Sequence, residues 1–296
     1  MKQVPHLGRF YPSTPDTARK HVKDFTPTEF FKLKDDDGKD VLLGLKLRDL
    51  AKKYTPAKYN LFIGTPFRES VRPEYVQSIF NLQQVAGIDV QHEMTFSVKQ
   101  MGQDLVRVRS RLLRLAWESE ATHFLLVDGD NAFTPEVVQS MLWTGKDFVQ
   151  APYARRDTGA FSIRALPKAR KKGLVALPED IQPDQTVEIE STGLGLTLIS
   201  RNCMEKMLGH YAGGDLDFLD QYEGQVFPTT ALFMLTITPE GGLLSEDNSF
   251  AKRWRDMGGQ VWLFIGEGTP IPHYGPALFQ GAIENLGFTR SRPTNG

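Results

Sequence analysis

A single cysteine, Cys203, stands among 296 residues. One thiol makes no internal disulfide and cannot build a multi-cysteine zinc site, so a reducing compartment is expected, with Cys203 as a small buried hydrophobe. Long apolar runs are missing too: the best of them, ALFML at 231–235, falls far short of the ~20 residues that span a bilayer. The opening MKQVPHLGRFYPSTP lacks the apolar segment of a secretory signal. A soluble, cytoplasmic protein with no membrane partner is the expectation. Excess charge of either sign is also missing. A formal net charge of −1 gives no overall attraction to nucleic acid, so a polyanion could be met only by a local patch. No internal repeat is found.

What is present is an ordinary globular composition, 40% hydrophobic and 24% charged, long enough for one large domain or two small ones. Residues 1–58 read as an accessory segment. Within it, EFFKLKDDDGKDVLLGLKL (29–47) predicts two strands around an Asp-Gly turn. From Asn60 the grammar becomes strand, loop, helix. NLFIGTP (60–66) predicts a buried strand closed by Thr65-Pro66, and RPEYVQSIFNLQQVAG (72–87) an amphipathic helix with Pro73 at its start and Gly87 past its end. Such alternation predicts a mostly parallel sheet with helices on its faces.

In GQDLVRVRSRLLRLAWESEA (102–121), Leu105, Val108, Leu112, Leu115 and Ala116 form an apolar stripe, and Arg107, Arg111 and Arg114 share the opposite face. Arg109 falls in the middle of the apolar stripe, where an unpaired charge is costly. Its guanidinium must reach either an internal ion-pair partner or an anionic ligand.

HFLLVDGDNAFTPEVVQSML (123–142) contains an Asp-Gly between apolar residues, which is a hairpin signal. HFLLV does not alternate, however, as befits a central parallel strand, and Thr134-Pro135-Glu136 opens a helix with Thr as cap and Pro in first position. The expected order is strand, acidic loop, helix. Asp128 and Asp130 then sit at the carboxyl end of a strand, where open parallel sheets bind ligands, with Gly129 placed to let backbone approach a ligand.

KDFVQAPYARRD (146–157) predicts another strand. A basic run, RALPKARKK (164–172), and an acidic one with Glu179, Asp180, Asp184, Glu188 and Glu190 follow. Such runs are solvated loops or, for the basic one, a contact for a polyanion. STGLGLTLISRNCMEKML (191–208) predicts a strand and a helix capped by Asn202. GGLLSEDNSFAKRWRDMGGQVWLF (241–264) predicts a helix capped by Ser245, with Phe250, Trp254 and Met257 inward, ended by Gly258-Gly259 and followed by a strand.

Two aspartates one residue apart in a tight loop can hold a hard divalent cation that grips a diphosphate, and the ion would neutralise charge on a departing nucleotide diphosphate. Glu246 and Asp247 either stabilise the positive end of a helix dipole or supply a general base. His273, in a Pro- and Gly-rich loop, is either structural or a further metal ligand.

Five segments in order, IGTPFRESVRPEYVQSIFNL, RSRLLRLAWESEATHFLLVDGDNAFTPEVVQSML, DFVQAPYARR, STGLGLTLISRNCMEKM and LSEDNSFAKRWRDMGGQVWLFIGEGTPIPHYGPALFQG, resemble the GT-A glycosyltransferases. The likeness is to the soluble family-2-like and mannan-polymerase-like enzymes of phages and bacteria. The resemblance, which covers about residues 59–282 and leaves the N-terminal region unmatched, implies an α/β GT-A fold for a domain at 59–288, a mostly parallel, Rossmann-like sheet with helices on both faces; composition makes 1–58 an N-terminal accessory element and 289–296 a mobile tail. It further implies that Thr65, Pro66 and Arg68 begin the nucleotide-binding strand and loop and that Arg109 helps hold the nucleotide sugar. Ser110 stands where the family usually has Asn. Asp128, Asp130 and His273 would bind Mn2+ or Mg2+, Asp128 alternatively contacting the nucleotide sugar. Gly193 and Gly195 would form a turn near the donor sugar, and Asp247, with Glu246 before it, would be the base.

The implied activity moves a sugar from a nucleotide-diphosphate sugar to a hydroxyl acceptor. A glycan or a hydroxymethylated base of phage DNA are the expected acceptors, with Arg155, Arg156, Lys168, Arg170, Lys171 and Lys172 as candidate contacts. Two other readings stay open. A haloacid-dehalogenase-type phosphatase also places Asp-x-Asp after an apolar strand, although it wants Thr or Val where this chain has Ala132. A non-catalytic module could bind nucleotide sugar without turnover.

Overall fold

The computed structural model describes residues 59–67, 70–85, 87–96, 104–156, 158–222, 224–275 and 278–279. All belong to the second of the chain's two units, which begins at Tyr59. The strand pair expected at 29–47, Arg68 and the tail from 289 lie outside the described residues.

In chain order the elements are β1 (Tyr59–Phe67), α1 (Pro73–Gln83), β2 (Ile88–Phe96), α2 (Asp104–Glu118), β3 (His123–Val127), α3 (Pro135–Trp143), β4 (Phe148–Gln150), the single turn α4 (Pro167–Arg170), β5 (Thr186–Ile189) and β6 (Leu196–Ser200). There follow α5 (Arg201–Tyr211), β7 (Asp217–Tyr222), β8 (Gln225–Thr230), β9 (Thr236–Ile237), β10 (Leu243–Leu244), α6 (Glu246–Asp256), β11 (Val261–Phe264), β12 (His273–Tyr274) and β13 (Leu278–Phe279).

Seven strands form the main sheet in the order β2-β1-β3-β6-β4-β11-β5. Five of them, β2, β1, β3, β4 and β11, run in one direction, and β6 and β5 run against them. The fold is thus mixed α/β with a mostly parallel central sheet. β3 is central as expected, but it is parallel only to β1 and antiparallel to β6.

Helices cover both faces. Phe124 and Leu126 pack with α2, α5 and α6, while Leu125 and Val127 pack with α1 and α3. A strand buried on both sides has no polar face to show, which is why HFLLV reads as an unbroken apolar run. The chain leaves β1 toward β2 and returns on the other side of β1 as β3. That reversal of strand order is where doubly wound sheets open a crevice at their carboxyl edge.

Helix ends depart from expectation in two places. Ser200, not Asn202, caps α5, its hydroxyl accepting from the Cys203 N–H at 3.1 Å. Thr134 sits at the cap position of α3 without a side-chain cap bond, leaving Pro135 as the start signal. Ser245 does cap α6 through the Asn248 N–H, Phe250 and Trp254 are buried, Met257 packs partly buried against the same core, and Gly258 ends the helix with φ 84°. Cys203 is buried and free.

The arginine face of α2 is covered by the β7–β8 hairpin. Asp220 on β7, fully buried, accepts from Arg107 Nε at 2.7 Å and from Arg111 Nε and Nη2 at 2.6 and 2.8 Å. Arg111 stacks 4.3 Å from the Tyr222 ring centroid and Arg114 4.1 Å from that of Phe227. Three arginines in a row therefore mark a docking face for an aromatic, acid-bearing hairpin. No helix among the described residues is long and apolar enough to cross a membrane.

Candidate active site

The loop after β3 is fixed by backbone bonds on both sides. Asp128 N–H donates to Gly195 O at 3.0 Å, Asn131 N–H to Asp128 O at 3.0 Å, and Tyr274 N–H to Asp130 O at 2.7 Å. Gly129 packs closely against the segment before α1. Its carbonyl accepts from the Arg72 N–H at 2.8 Å, and a Cβ there would stand 2.7 Å from Val71 Cγ1. The missing side chain lets the segment before α1 pack against the loop.

Arg109 is the hub of the site. Projecting from the buried side of α2, it donates through Nη2 to both oxygens of Asp128, at 3.1 and 3.4 Å, and through Nη1 to Glu246 at 3.3 Å and to Asp247 in a still shorter contact. Of the two outcomes the sequence left open, the internal ion pair is realised. The Arg109 side chain is 3% exposed while the three carboxylates are 21–26% exposed. The guanidinium is therefore buried beneath three carboxylates that stay partly open to solvent.

Asp247 feels opposing forces. Burial pushes its pKa up, Arg109 pulls it down, and the neighbouring Glu246 and Asp128 push it up again, leaving it raised from 3.8 to about 6. Arg109 is driven the other way: burial works against its charge, but Asp247, Asp128 and Glu246 outweigh burial and raise its pKa further.

Asp130 belongs to a neighbouring cluster. Its Oδ2 lies 2.9 Å from Arg156 Nη1 and 3.5 Å from His273 Nε2. Burial raises the Asp130 pKa, and His273 and Arg156 more than reverse this, so it is held below the ordinary carboxylate value. The opposite balance lifts His273: burial lowers its pKa, and its bonds to Asp130 and to a backbone carbonyl outweigh burial. That carbonyl is Ala154 O, 2.8 Å from Nδ1. A carbonyl only accepts, so Nδ1 carries a proton and Nε2 is the nitrogen turned to Asp130. His273 is buried in the short strand β12 and bridges to Asn131, an arrangement its loop-like sequence did not announce.

Tyr153, after β4, joins the two clusters. Its ring meets the His273 ring edge-on at 5.1 Å, and burial, with Asp247 and Asp128 nearby, raises its hydroxyl well above the ordinary value. Gly193 and Gly195 face it closely: a Cβ on Gly193 would strike the Tyr153 hydroxyl, and one on Gly195 would come within 2.6 Å of the Tyr153 ring and clash with the Asn131 amide. The glycines thus make room for Tyr153 and Asn131. Arg109 Nε, Asn131 Oδ1 and Gln150 Oε1 are buried without a hydrogen-bond partner among the described residues. Each such atom costs about 1–3 kcal/mol; Arg114 Nε, Thr197 Oγ1, Thr229 Oγ1 and Thr236 Oγ1 are unpaired in the same way.

Some expected site residues are elsewhere. Thr65 is fully buried at the end of β1 with its hydroxyl on that of Tyr75, and Pro66 is buried beside it. Arg156, expected to contact the acceptor, is engaged with Asp130, and Arg155 is exposed next to it. The basic run is partly answered by the acidic one: Lys168 lies 3.9 Å from Asp180 and Arg170 3.2 Å from Glu190. Lys171 and Lys172 are exposed.

Among the described residues no three His, Cys, Asp or Glu side chains are grouped as ligands of one metal ion. The expected trio is split, because Asp128 turns to Arg109 while Asp130 and His273 face each other. That remaining pair could supply two ligands of one ion only if His273 gave up its Nε2 proton and Arg156 left the Asp130 oxygen they share. Donors about 2.0–2.2 Å from a shared metal stand roughly 3–3.5 Å apart, and the Ala154 carbonyl holds the His273 Nδ1 proton, as carbonyls that orient metal-bound histidines do. The other donors would have to be ligand phosphate oxygens and water, as is usual for Mg2+ held beside phosphates.

No protein-family model matches the chain, and no curated protein matches it. Among solved structures, A197 from STIV is similar at 14% sequence identity and a TM-score of 0.42, covering 80% of this chain and 100% of that one.

Proposed function

We propose that the chain is a GT-A-type glycosyltransferase that binds a nucleotide-diphosphate sugar with a divalent cation, Mn2+ or Mg2+, and transfers the sugar to a hydroxyl. The observation that carries this reading is the convergence of Arg109, Asp128, Glu246 and Asp247, from three separate stretches of chain, in one ion-paired cluster beyond the carboxyl end of β3. With Asp130, four carboxylates face two guanidiniums, Arg109 and Arg156. A site this acidic repels a bare diphosphate. Asp130 and His273 would hold the cation. Bound there, it would neutralise charge on the departing diphosphate.

The remaining work falls to the chain's own residues. Arg109, whose fork suits phosphate oxygens as well as carboxylates, shifts toward the incoming diphosphate and frees Asp247, while Asp128 turns to the ribose. Asp247 takes the proton of the acceptor hydroxyl as the acceptor oxygen bonds to the anomeric carbon. The bond from that carbon to the diphosphate oxygen breaks, and the nucleoside diphosphate leaves with the electron pair. With its pKa raised to about 6 in the free protein, Asp247 is a stronger base than an ordinary aspartate. Asp128 would be the nucleophile of a haloacid-dehalogenase-type phosphatase. With both oxygens on Arg109 it is poorly disposed to attack phosphorus, which favours the transferase.

Equilibrium binding of UDP, GDP and ADP, each with and without Mn2+, tests this reading. One nucleotide should bind at least tenfold more tightly with Mn2+, and Asp130→Asn should remove most of that difference. Binding indifferent to Mn2+, or a Mn2+ effect untouched by Asp130→Asn, would sink the metal assignment.

A further inference from the structure

Along the outer side of α6 lies a groove of about 330 Å3 whose lining carries three basic residues, Arg164, Lys252 and Arg255, and two acidic ones, Glu190 and Asp256, beside Ser191, Thr238 and Asn248. Its lining reaches the first turn of α6 at Asn248 and does not include Asp247 itself. Asn248 follows Asp247 in the first turn of α6, and its side-chain oxygen accepts from the hydroxyl of Ser191, which stands two residues before Gly193. Leu244, buried at the start of α6, adds an apolar patch.

The charges in the groove are unevenly answered. Lys252 pairs with Asp256 at 2.7 Å, and Glu190 is taken by Arg170 at 3.2 Å from outside the lining. Arg164 and Arg255 have no carboxylate partner among the described residues. Two guanidiniums therefore remain for an anion, in a space near the lower end of the ~300–1,000 Å3 of small-molecule sites. That volume suits one sugar unit rather than a nucleic-acid duplex.

We propose that this groove is the acceptor subsite and that the acceptor is a phosphorylated sugar. Its ring lies between α6 and the Ser191 segment, one hydroxyl is turned toward Asp247, and its phosphate is held by Arg164 and Arg255. The reaction rests on the transferase reading above; the ligand class rests on the groove alone.

Calorimetric binding to the full chain tests it, with glucose 6-phosphate, mannose 6-phosphate and glycerol 3-phosphate as probes against their unphosphorylated parents. Wild type and the exposed-lysine control Lys206→Ala should prefer at least one phosphorylated probe by about tenfold or more, the worth of one charge-assisted hydrogen bond. Arg164→Ala/Arg255→Ala should bring that ratio to about one, and Arg255→Lys, which keeps the charge, should retain part of it. Because each ratio is taken within one protein, a general loss of folded material does not mimic the result. No preference in wild type, or one that survives the double substitution, overturns the proposal. So does a hydroxymethylated DNA duplex that binds more tightly than every sugar phosphate through the same two arginines. Arginine-dependent sugar-phosphate binding in a chain that binds no nucleotide sugar would support the ligand class and remove the transferase reading.

Discussion

Replacing Asp247 with Asn should lower activity and raise stability, and the stability effect should depend on pH. The folded-state pKa of Asp247, about 6, lies above the 3.8 of an ordinary aspartate, through burial first and then the Glu246 and Asp128 charges. Native protein therefore binds the extra proton between about pH 4 and 6. The stability this group contributes is fully present below the unfolded pKa and is lost as pH rises through the folded one. At roughly 1.4 kcal/mol per pKa unit the loss above pH 7 is about 3 kcal/mol. Asn carries no charge and escapes that loss, although it gives up a charged bond to Arg109, which keeps Asp128 and Glu246. A net gain of about 1–3 kcal/mol at pH 8 is expected, shrinking to nothing or reversing near pH 4. Urea unfolding at the two pH values, with the slope checked for constancy, measures it. Sugar transfer by the same variant should fall about 10²–10⁴-fold, the usual worth of a general base. An Asp247→Asn protein destabilised at pH 8 would show that Asp247 is a net structural partner of Arg109, and the argument for a strained base would fail.

Three further outcomes follow from the same geometry. The rate at low substrate should rise with pH through about 6 as Asp247 ionises and then level off; a profile flat from pH 5 to 8 would contradict this. Arg109→Ala leaves three carboxylates facing one another with no guanidinium at their centre and should cost about 3–5 kcal/mol in chemical unfolding, whereas a loss under 1 kcal/mol would mean the cleft is open enough for water to screen them. Asp220→Asn should cost a similar amount at pH 7. Burial raises the Asp220 pKa, but Arg111 and Arg107 pull it below the ordinary value, so its contribution is present above the unfolded pKa and lost as pH falls through the folded one, and the gap between variant and wild type should narrow on acidification.

Much of the fold could be read from local pattern. β3 begins and ends where HFLLV does, since a strand covered on both faces has no reason to alternate, and Pro73, Pro135 and Ser245 mark helix starts because their chemistry is local. Arg109 also announced itself, as a charge at an apolar helical position, though only the structure shows that Asp128, Glu246 and Asp247 answer it.

What the sequence concealed was pairing at long range. The hairpin over Arg107, Arg111 and Arg114 has only a faint local signal, the alternation of Phe218, Asp220 and Tyr222 on one side of β7 before a turn containing Gly224. Tyr153 escaped notice because nothing near Pro152 and Tyr153 shows that Gly193 and Gly195, some forty residues on, are small in order to admit it. Basic neighbours suggest an acceptor contact for Arg156, whereas its contact with Asp130 spans a sequence separation that no local pattern encodes.

Release of nucleotide from a panel of nucleotide sugars, followed with Mn2+ and again after chelation, tests the central claim most directly. The account predicts release from at least one donor that stops on chelation, is nearly abolished by Asp247→Asn and Asp130→Asn, and accelerates when an acceptor hydroxyl is supplied. Release that persists without divalent cation and survives both substitutions, or none from any donor by wild-type protein, would contradict it.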